Sequence, residues 1–213
     1  MAISTGITVL ATLTGRAEDA TDGFYLNADV GIFHQQEAVI HGTFGTRTSV
    51  SYNPGVRTDM ILGYRLNKSW SVELETGLLW NTIHEGDGMP LQPPGTTFDT
   101  FTFPALTKIA YEIPATKNLK LHLGCGIGGA FSIANIHRGQ FIGDADISAR
   151  DFSLAYELEA GVRLQLAKSV SIGAAYKFLS VSDQEWSFPA LSNRLSIDET
   201  FTHAVVVGVT WRF

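Results

Sequence analysis

Apolar side chains recur along this chain at every second position, not at the three- and four-residue spacing of a helix, in eight segments of about ten residues. The alternation predicts strands over 24–34, 55–66, 70–82, 98–111, 119–132, 151–166, 170–181 and 201–213. Their connections alternate in length. Short ones fall at Asn67-Lys68-Ser69, at 113–118 and at Ala167-Lys168-Ser169, whereas long ones rich in Gly, Pro and acid cover about 35–54, 83–97, 133–150 and 182–200. Tight turns at one rim and long loops at the other are the pattern of a closed, up-and-down antiparallel barrel.

Successive side chains of a strand point to opposite sides of a sheet, so sorting positions by parity separates two surfaces. One carries runs such as Leu26, Ala28, Val30, Ile32 and Leu119, Leu121, Leu123, Cys125, Ile127, and no charge. The other carries Asp29, Arg57, Asp59, Arg65, Glu73, Glu75, Lys108, Lys120, Glu157, Glu159, Arg163, Lys177 and Arg212, with His122 and many Gly, Ser and Thr among them. Aromatic residues gather at the ends of the apolar face. Trp80, Phe101, Phe131 and Phe152 lie toward the long loops, and Tyr64, Trp70, Tyr111 and Trp211 toward the short turns, as two interfacial girdles would.

The expected fold is therefore all-β, an eight-stranded antiparallel up-and-down transmembrane β-barrel with oil outward and ions along its axis. A bilayer tolerates no open sheet edge, so such a sheet must close. The interior of an eight-stranded barrel is just wide enough for side chains to fill it, and buried ions must be paired, so the charged face is expected to form an ion network plugging the lumen. Centring the last short hairpin on Ala167 sets Glu157 opposite Lys177, and Arg65 comes diagonal to Glu73 across the first short turn.

Composition narrows the class. Only 17% of the 213 residues are charged, against about 25% in an ordinary soluble domain, yet no apolar run is long enough for a transmembrane helix. A net charge of −6 without a basic cluster argues against nucleic acid as partner, and the single Cys excludes an internal disulfide. Gly124-Cys125-Gly126-Ile127-Gly128-Gly129 satisfies the dinucleotide fingerprint, but it lies within a strand with no helix after it. Its glycines are better read as room for large lumen side chains from facing strands. The six histidines show no i, i+4 pair and no Cys partner, so neither a metal site nor a cofactor is expected.

The chain ends in Val209-Thr210-Trp211-Arg212-Phe213, an alternating strand with a terminal aromatic. With the strand and loop pattern, residues 23–213 resemble the small outer-membrane β-barrel proteins of the OmpA-like and opacity-protein type. The resemblance implies a place in the cell outer membrane, outer-membrane lipid and lipopolysaccharide as surroundings, and recognition of the last strand by the barrel-assembly machinery through Phe213 and, with it, Trp211. It also implies export. Residues 1–20 are expected to be an export signal or its remnant, with Ile7 to Leu13 as the apolar stretch and Gly15-Arg16-Ala17 as a small-residue cleavage site, although no Lys or Arg precedes them. The alternation of Ile3, Thr5, Ile7, Val9, Ala11 and Leu13 alternatively reads as an extra strand. A single barrel domain then covers 21–213.

The function expected is a non-enzymatic, structural or surface-interaction role through acidic and apolar outer loops. The alternatives are a lipid-modifying outer-membrane enzyme and a narrow pore or hydrophobic-solute conduit. Neither G-x-S-x-G nor an H-x-S of the kind found in outer-membrane lipid A deacylases is present. Loop acids such as Glu85, Asp87, Asp144 and Asp146 offer oxygens to divalent cations that bridge lipopolysaccharide phosphates. The apolar loop residues Ile40, Phe44, Met89, Leu91, Phe141, Ile142, Trp186, Phe188 and Leu191 either meet a hydrophobic ligand or surface partner, or pack on one another and extend the barrel above the membrane.

Overall fold

Where β-branched, aromatic and leucine side chains alternate with polar ones, the backbone pairs into ladders whose two faces differ in chemistry. A computed structural model describes residues 23–41, 47–86, 97–137, 147–188 and 193–213. Its strands are, in chain order, β1 (Gly23–Gln35), β2 (Ala38–His41), β3 (Arg47–Tyr52), β4 (Gly55–Arg65), β5 (Trp70–Gly86), β6 (Thr97–Pro114), β7 (Leu119–His137), β8 (Ile147–Gln165), β9 (Val170–Val181), β10 (Gln184–Phe188), β11 (Asn193–Ile197) and β12 (Thr200–Arg212). Eight of them, β1, β4, β5, β6, β7, β8, β9 and β12, pair antiparallel in a ring that β1 and β12 close. These are the eight strands the alternation predicts. The expected export segment, 1–20, lies outside the described residues.

The other four strands occupy what the sequence reads as loops. Hairpins β2–β3 and β10–β11 join side by side and hang from the outer end of β5, in the order β10-β11-β2-β3-β5. They enclose a cluster of Ala38, Val50, Tyr52, Ile83, Ala134, Ala149, Trp186 and Ile197, with Ile40 packed against it. Burial among these side chains pushes the Tyr52 hydroxyl pKa up. Trp186 and Ile40 thus pack inward on this extension, whereas Phe44, Met89, Leu91, Phe141, Ile142 and Leu191 lie outside the described residues.

At the opposite rim the turns are set by short polar side chains. Asn67 Oδ1 accepts the N–H groups of Ser69 and Trp70, both at 2.9 Å, and Thr116 Oγ1 accepts that of Leu119 at 3.1 Å. Register follows from these turns. Arg65 stands opposite Ser71, which leaves Glu73 diagonal to it as expected. Across β8 and β9, however, Lys177 stands opposite Glu159, and Glu157 faces Leu179. The hairpin is centred one residue later than Ala167, a displacement that preserves parity while exchanging every partner. The β5–β6 ladder is interrupted between the pairs Thr76–Ala105 and Leu79–Thr102, and Pro104, which has no N–H, sits in the gap.

The two faces are turned inside out relative to a water-soluble sandwich. Ile32, Leu74, Ile127 and Phe152 point outward and are more than half exposed, while Arg57, Lys108, Glu157 and Lys177 inside the ring have no exposure at all. Trp70 and Tyr111 meet outward at one rim in a tilted pair with ring centroids 4.6 Å apart, and Trp80 and Phe101 stack at the other at 6.4 Å. Tyr64, Phe131, Phe152 and Trp211 lie on the same outward face.

Candidate functional site

The barrel interior is the site to which every wall strand contributes, because each sends alternate side chains inward. At the short-turn rim, Glu112 accepts hydrogen bonds from Arg65, from Lys120 Nζ at 2.8 Å and from Arg163 Nη1 at 2.6 Å. Arg212 lies at the same rim, half-buried. Glu112 is absent from the sequence-derived set because the predicted strand stops at Tyr111. Structurally β6 runs to Pro114, and continuing the parity by one step would have found this acid.

One layer further in lies the main network. Arg57 donates from Nε to Asp59 at 2.8 Å and from Nη2 to Glu75 at 2.8 Å, and also reaches Glu157. Lys108 Nζ reaches Glu75 Oε2 at 2.6 Å, Glu157 Oε1 at 3.0 Å and Glu159 Oε2. Lys177 Nζ reaches Asp59 Oδ2 at 2.8 Å, Glu75 Oε1 at 2.9 Å and Asp29 Oδ2 at 3.3 Å. These contacts link β1, β4, β5, β6, β8 and β9 across the lumen rather than along one hairpin. The expected direct pair of Glu157 with Lys177 is corrected accordingly. Arg57 and Lys108 serve Glu157, and Lys177 serves acids on β1, β4 and β5.

Between the two clusters stand Tyr25, Ser71, Glu73 and His122. The Tyr25 hydroxyl donates to Glu73 Oε1 and lies 3.0 Å from Ser71 Oγ, while the Arg163 guanidinium sits 5.8 Å from the centre of the Tyr25 ring. Tyr25 carried no sequence signal, being an inward aromatic in a face otherwise read as polar. Replacing it with Phe removes a buried carboxylate's donor and is expected to lower stability by about 1–3 kcal/mol. Urea unfolding in detergent micelles measures this; an unmoved midpoint would mean that water replaces the hydroxyl at no cost.

Above the ions the interior turns apolar. Phe33, Leu79, Leu106, Ala130, Ala155, Leu179, Val181, Ala204 and Val206 form a continuous layer that the parity reading left out. Two cavities in the barrel, one under the outer cluster beside Leu79, Asn81 and Gln184 and one beside Asn27, His122 and Glu159, each measure about 20 Å³, room for about one water.

Comparison with known proteins bears on this arrangement. The family model for the outer membrane protein β-barrel domain matches residues 5–213. A search of curated proteins gives no match. Among solved structures, the chain resembles the Neisserial surface protein A, at 17% identity with a TM-score of 0.53, covering 90% of this chain and 97% of that one. It also resembles the outer membrane protein OprG of Pseudomonas aeruginosa, at 13% identity with a TM-score of 0.55 over 91% and 97% of the two chains. The outer membrane protein AlkL, at 12% identity, gives a TM-score of 0.57 over 93% and 94%. At these identities the likeness is one of fold.

Proposed function

Because the chain belongs to the outer membrane protein β-barrel domain family and so resides in the cell outer membrane, we propose that it is a non-conducting, non-enzymatic barrel that holds its outer hairpins and loops against a surface partner or the surrounding lipopolysaccharide. The observation that carries this reading is the filled interior. Arg57, Lys108 and Lys177 have no exposure and are tied to acids on facing strands, and an apolar layer lies directly above them. An ion entering this lumen must break several charge-assisted contacts at once, each between side chains withdrawn from bulk solvent, where such contacts are strong.

On this reading the outward aromatics Tyr64, Trp70, Tyr111 and Trp211 sit at one bilayer interface and Trp80, Phe101, Phe131 and Phe152 at the other. The exposed Phe213, whose N–H donates to Phe24 O at 3.1 Å, closes the last strand onto the first and is the residue we assign to recognition by the assembly machinery. The loop acids bind divalent cations shared with lipopolysaccharide phosphates. Planar-bilayer recording of the refolded barrel tests the central point. The expected trace shows no steps above bare lipid; a steady open level that scales with salt concentration would replace this reading with a pore.

A further inference from the structure

Each lumen acid of the two ion clusters, Asp29, Asp59, Glu75, Glu112, Glu157 and Glu159, has a Lys or Arg of this chain within 4.0 Å. Glu73 differs. It is 1% exposed, its Oε1 accepts from Tyr25, its Oε2 has no partner, and among the described residues no Lys or Arg ion-pairs with it. Beside it stands His122, 3% exposed, with an unpartnered Nδ1 and with Nε2 3.4 Å from Glu159 Oε1. One donor atom from each of Glu73, His122 and Glu159 lies within 4.8 Å of the others. Leaving a buried carboxylate oxygen unsatisfied is costly, so Glu73 Oε2 is short of one cationic or donating group.

We propose that Glu73, His122 and Glu159 form a divalent transition-metal site inside the barrel, selective for zinc-like ions. Carboxylate oxygen and imidazole nitrogen are both zinc donors, and a site with three protein ligands leaves a fourth position to water. The separation of 3.4 Å between Nε2 and Oε1 is long for a hydrogen bond but matches two ligands about 2.1 Å from a shared tetrahedral ion. Both carboxylates are held through their other oxygen, Glu73 Oε1 by Tyr25 and Glu159 Oε2 by Lys108, which is how outer contacts orient metal ligands. Space adjoins two of the three ligands. The cavity of about 20 Å³ is lined by His122 and Glu159, though not by Glu73, and at Gly124 even a Cβ would keep 3.8 Å from His122 Nε2. The other close acid group, Glu75, Glu157 and Glu159, is already crossed by Arg57, Lys108 and Lys177, so the chain's own cations fill it. Imidazole among the ligands favours zinc over magnesium or calcium, which prefer all-oxygen shells.

The test uses the full chain refolded from urea into detergent micelles with Zn²⁺, with Mg²⁺ or with chelator, since a closed lumen loads during folding. Expected is one tightly held Zn²⁺ per chain and a raised unfolding midpoint with Zn²⁺ alone. Glu73→Gln and His122→Gln should each weaken Zn²⁺ binding at least about tenfold, whereas His203→Gln on the outer wall should not. Zinc-edge X-ray absorption on the unaltered protein keeps the proposal falsifiable if either lumen variant fails to fold. One imidazole with oxygen neighbours is expected. Two or more imidazoles would place the ion at outer histidines such as His34 and His203, which stand opposite each other across β1 and β12. That result, binding unchanged by both lumen substitutions, or no retained zinc, overturns the site.

Discussion

Replacing Lys177 with Met is expected to lower the unfolding free energy of the barrel by about 3–5 kcal/mol, read from urea titration in detergent micelles. Methionine matches the unbranched stem of lysine from Cβ to Cε and ends where the ammonium would begin, so packing against the wall is retained and the loss is that of the charged group. Lys177 Nζ is the shared donor for Asp59 Oδ2, Glu75 Oε1 and Asp29 Oδ2 at 2.8, 2.9 and 3.3 Å. Without it, Asp59 and Glu75 divide the remaining cations of their layer, and among the described residues Asp29 keeps the hydrogen bond from Asn27 Nδ2, at 2.7 Å, and no ion pair. Removing one member of a buried ion cluster strands the rest in a medium that solvates charge poorly, which is why the loss exceeds that of a surface pair. A double-mutant cycle locates the partner. Coupling of Lys177→Met with Asp59→Asn should exceed about 1 kcal/mol and be clearly larger than coupling with Glu157→Gln. The reverse order would restore the Glu157 pairing and shift β9 by two residues against β8.

That contrast shows how far the sequence could be read. Parity is set locally by each strand, so the inward placement of Arg57, Glu75, Lys108, Glu157 and Lys177 and the outward placement of Trp70, Trp80 and Phe152 are legible from spacing alone. Register is not local. It depends on where each turn pivots, and a pivot at Lys168 instead of Ala167 leaves every residue on its own face while giving Lys177 new neighbours. Cross-lumen contacts lie further still from the linear sequence, because they join strands that are not adjacent in the ring. A search for histidines at fixed intervals therefore cannot see His122 meet Glu73 and Glu159, which come from three strands. Glu112 lies one residue past the end of the predicted strand, because β6 continues three residues further, to Pro114. The hairpins β2–β3 and β10–β11 were lost because their strands are four to six residues long, too short for alternation to stand out among glycines and prolines. The apolar inner layer was hidden because Leu79, Leu106, Leu179 and Val206 share a parity with the ions, and a face defined by its charges hides the oil above them.

Substitutions along the glycine run of β7 are expected to have steeply unequal effects, with Gly128→Val abolishing recovery of the folded barrel. Gly124, Gly126 and Gly128 all turn toward the lumen, yet what lies over each differs. A Cβ at Gly124 would meet nothing closer than 3.5 Å, whereas at Gly126 it would stand 2.4 Å from Lys108 Cγ, so only there does a glycine make room for a large lumen side chain of the neighbouring strand. At Gly128 it would stand 2.0 Å from the carbonyl oxygen of Ala105 and 2.9 Å from Leu106 Cα. Those are backbone atoms of β6, and they cannot retreat without opening a ladder that pairs eighteen positions from Thr97–His137 to Pro114–Lys120. The cost for alanine should therefore rise from near zero at Gly124, through about 1–3 kcal/mol at Gly126 where the lysine stem can bend, to about 3 kcal/mol or more at Gly128. Because the wall is a closed ring, strain at one ladder cannot be relieved by fraying an edge, and it passes to the β5–β6 seam already interrupted at Pro104. Heat-modifiable migration on a gel reports the folded fraction, and urea midpoints rank the alanine series. Equal losses at the three positions would mean that these glycines serve strand flexibility alone and that the close approach of β6 to β7 is not a constraint on the barrel.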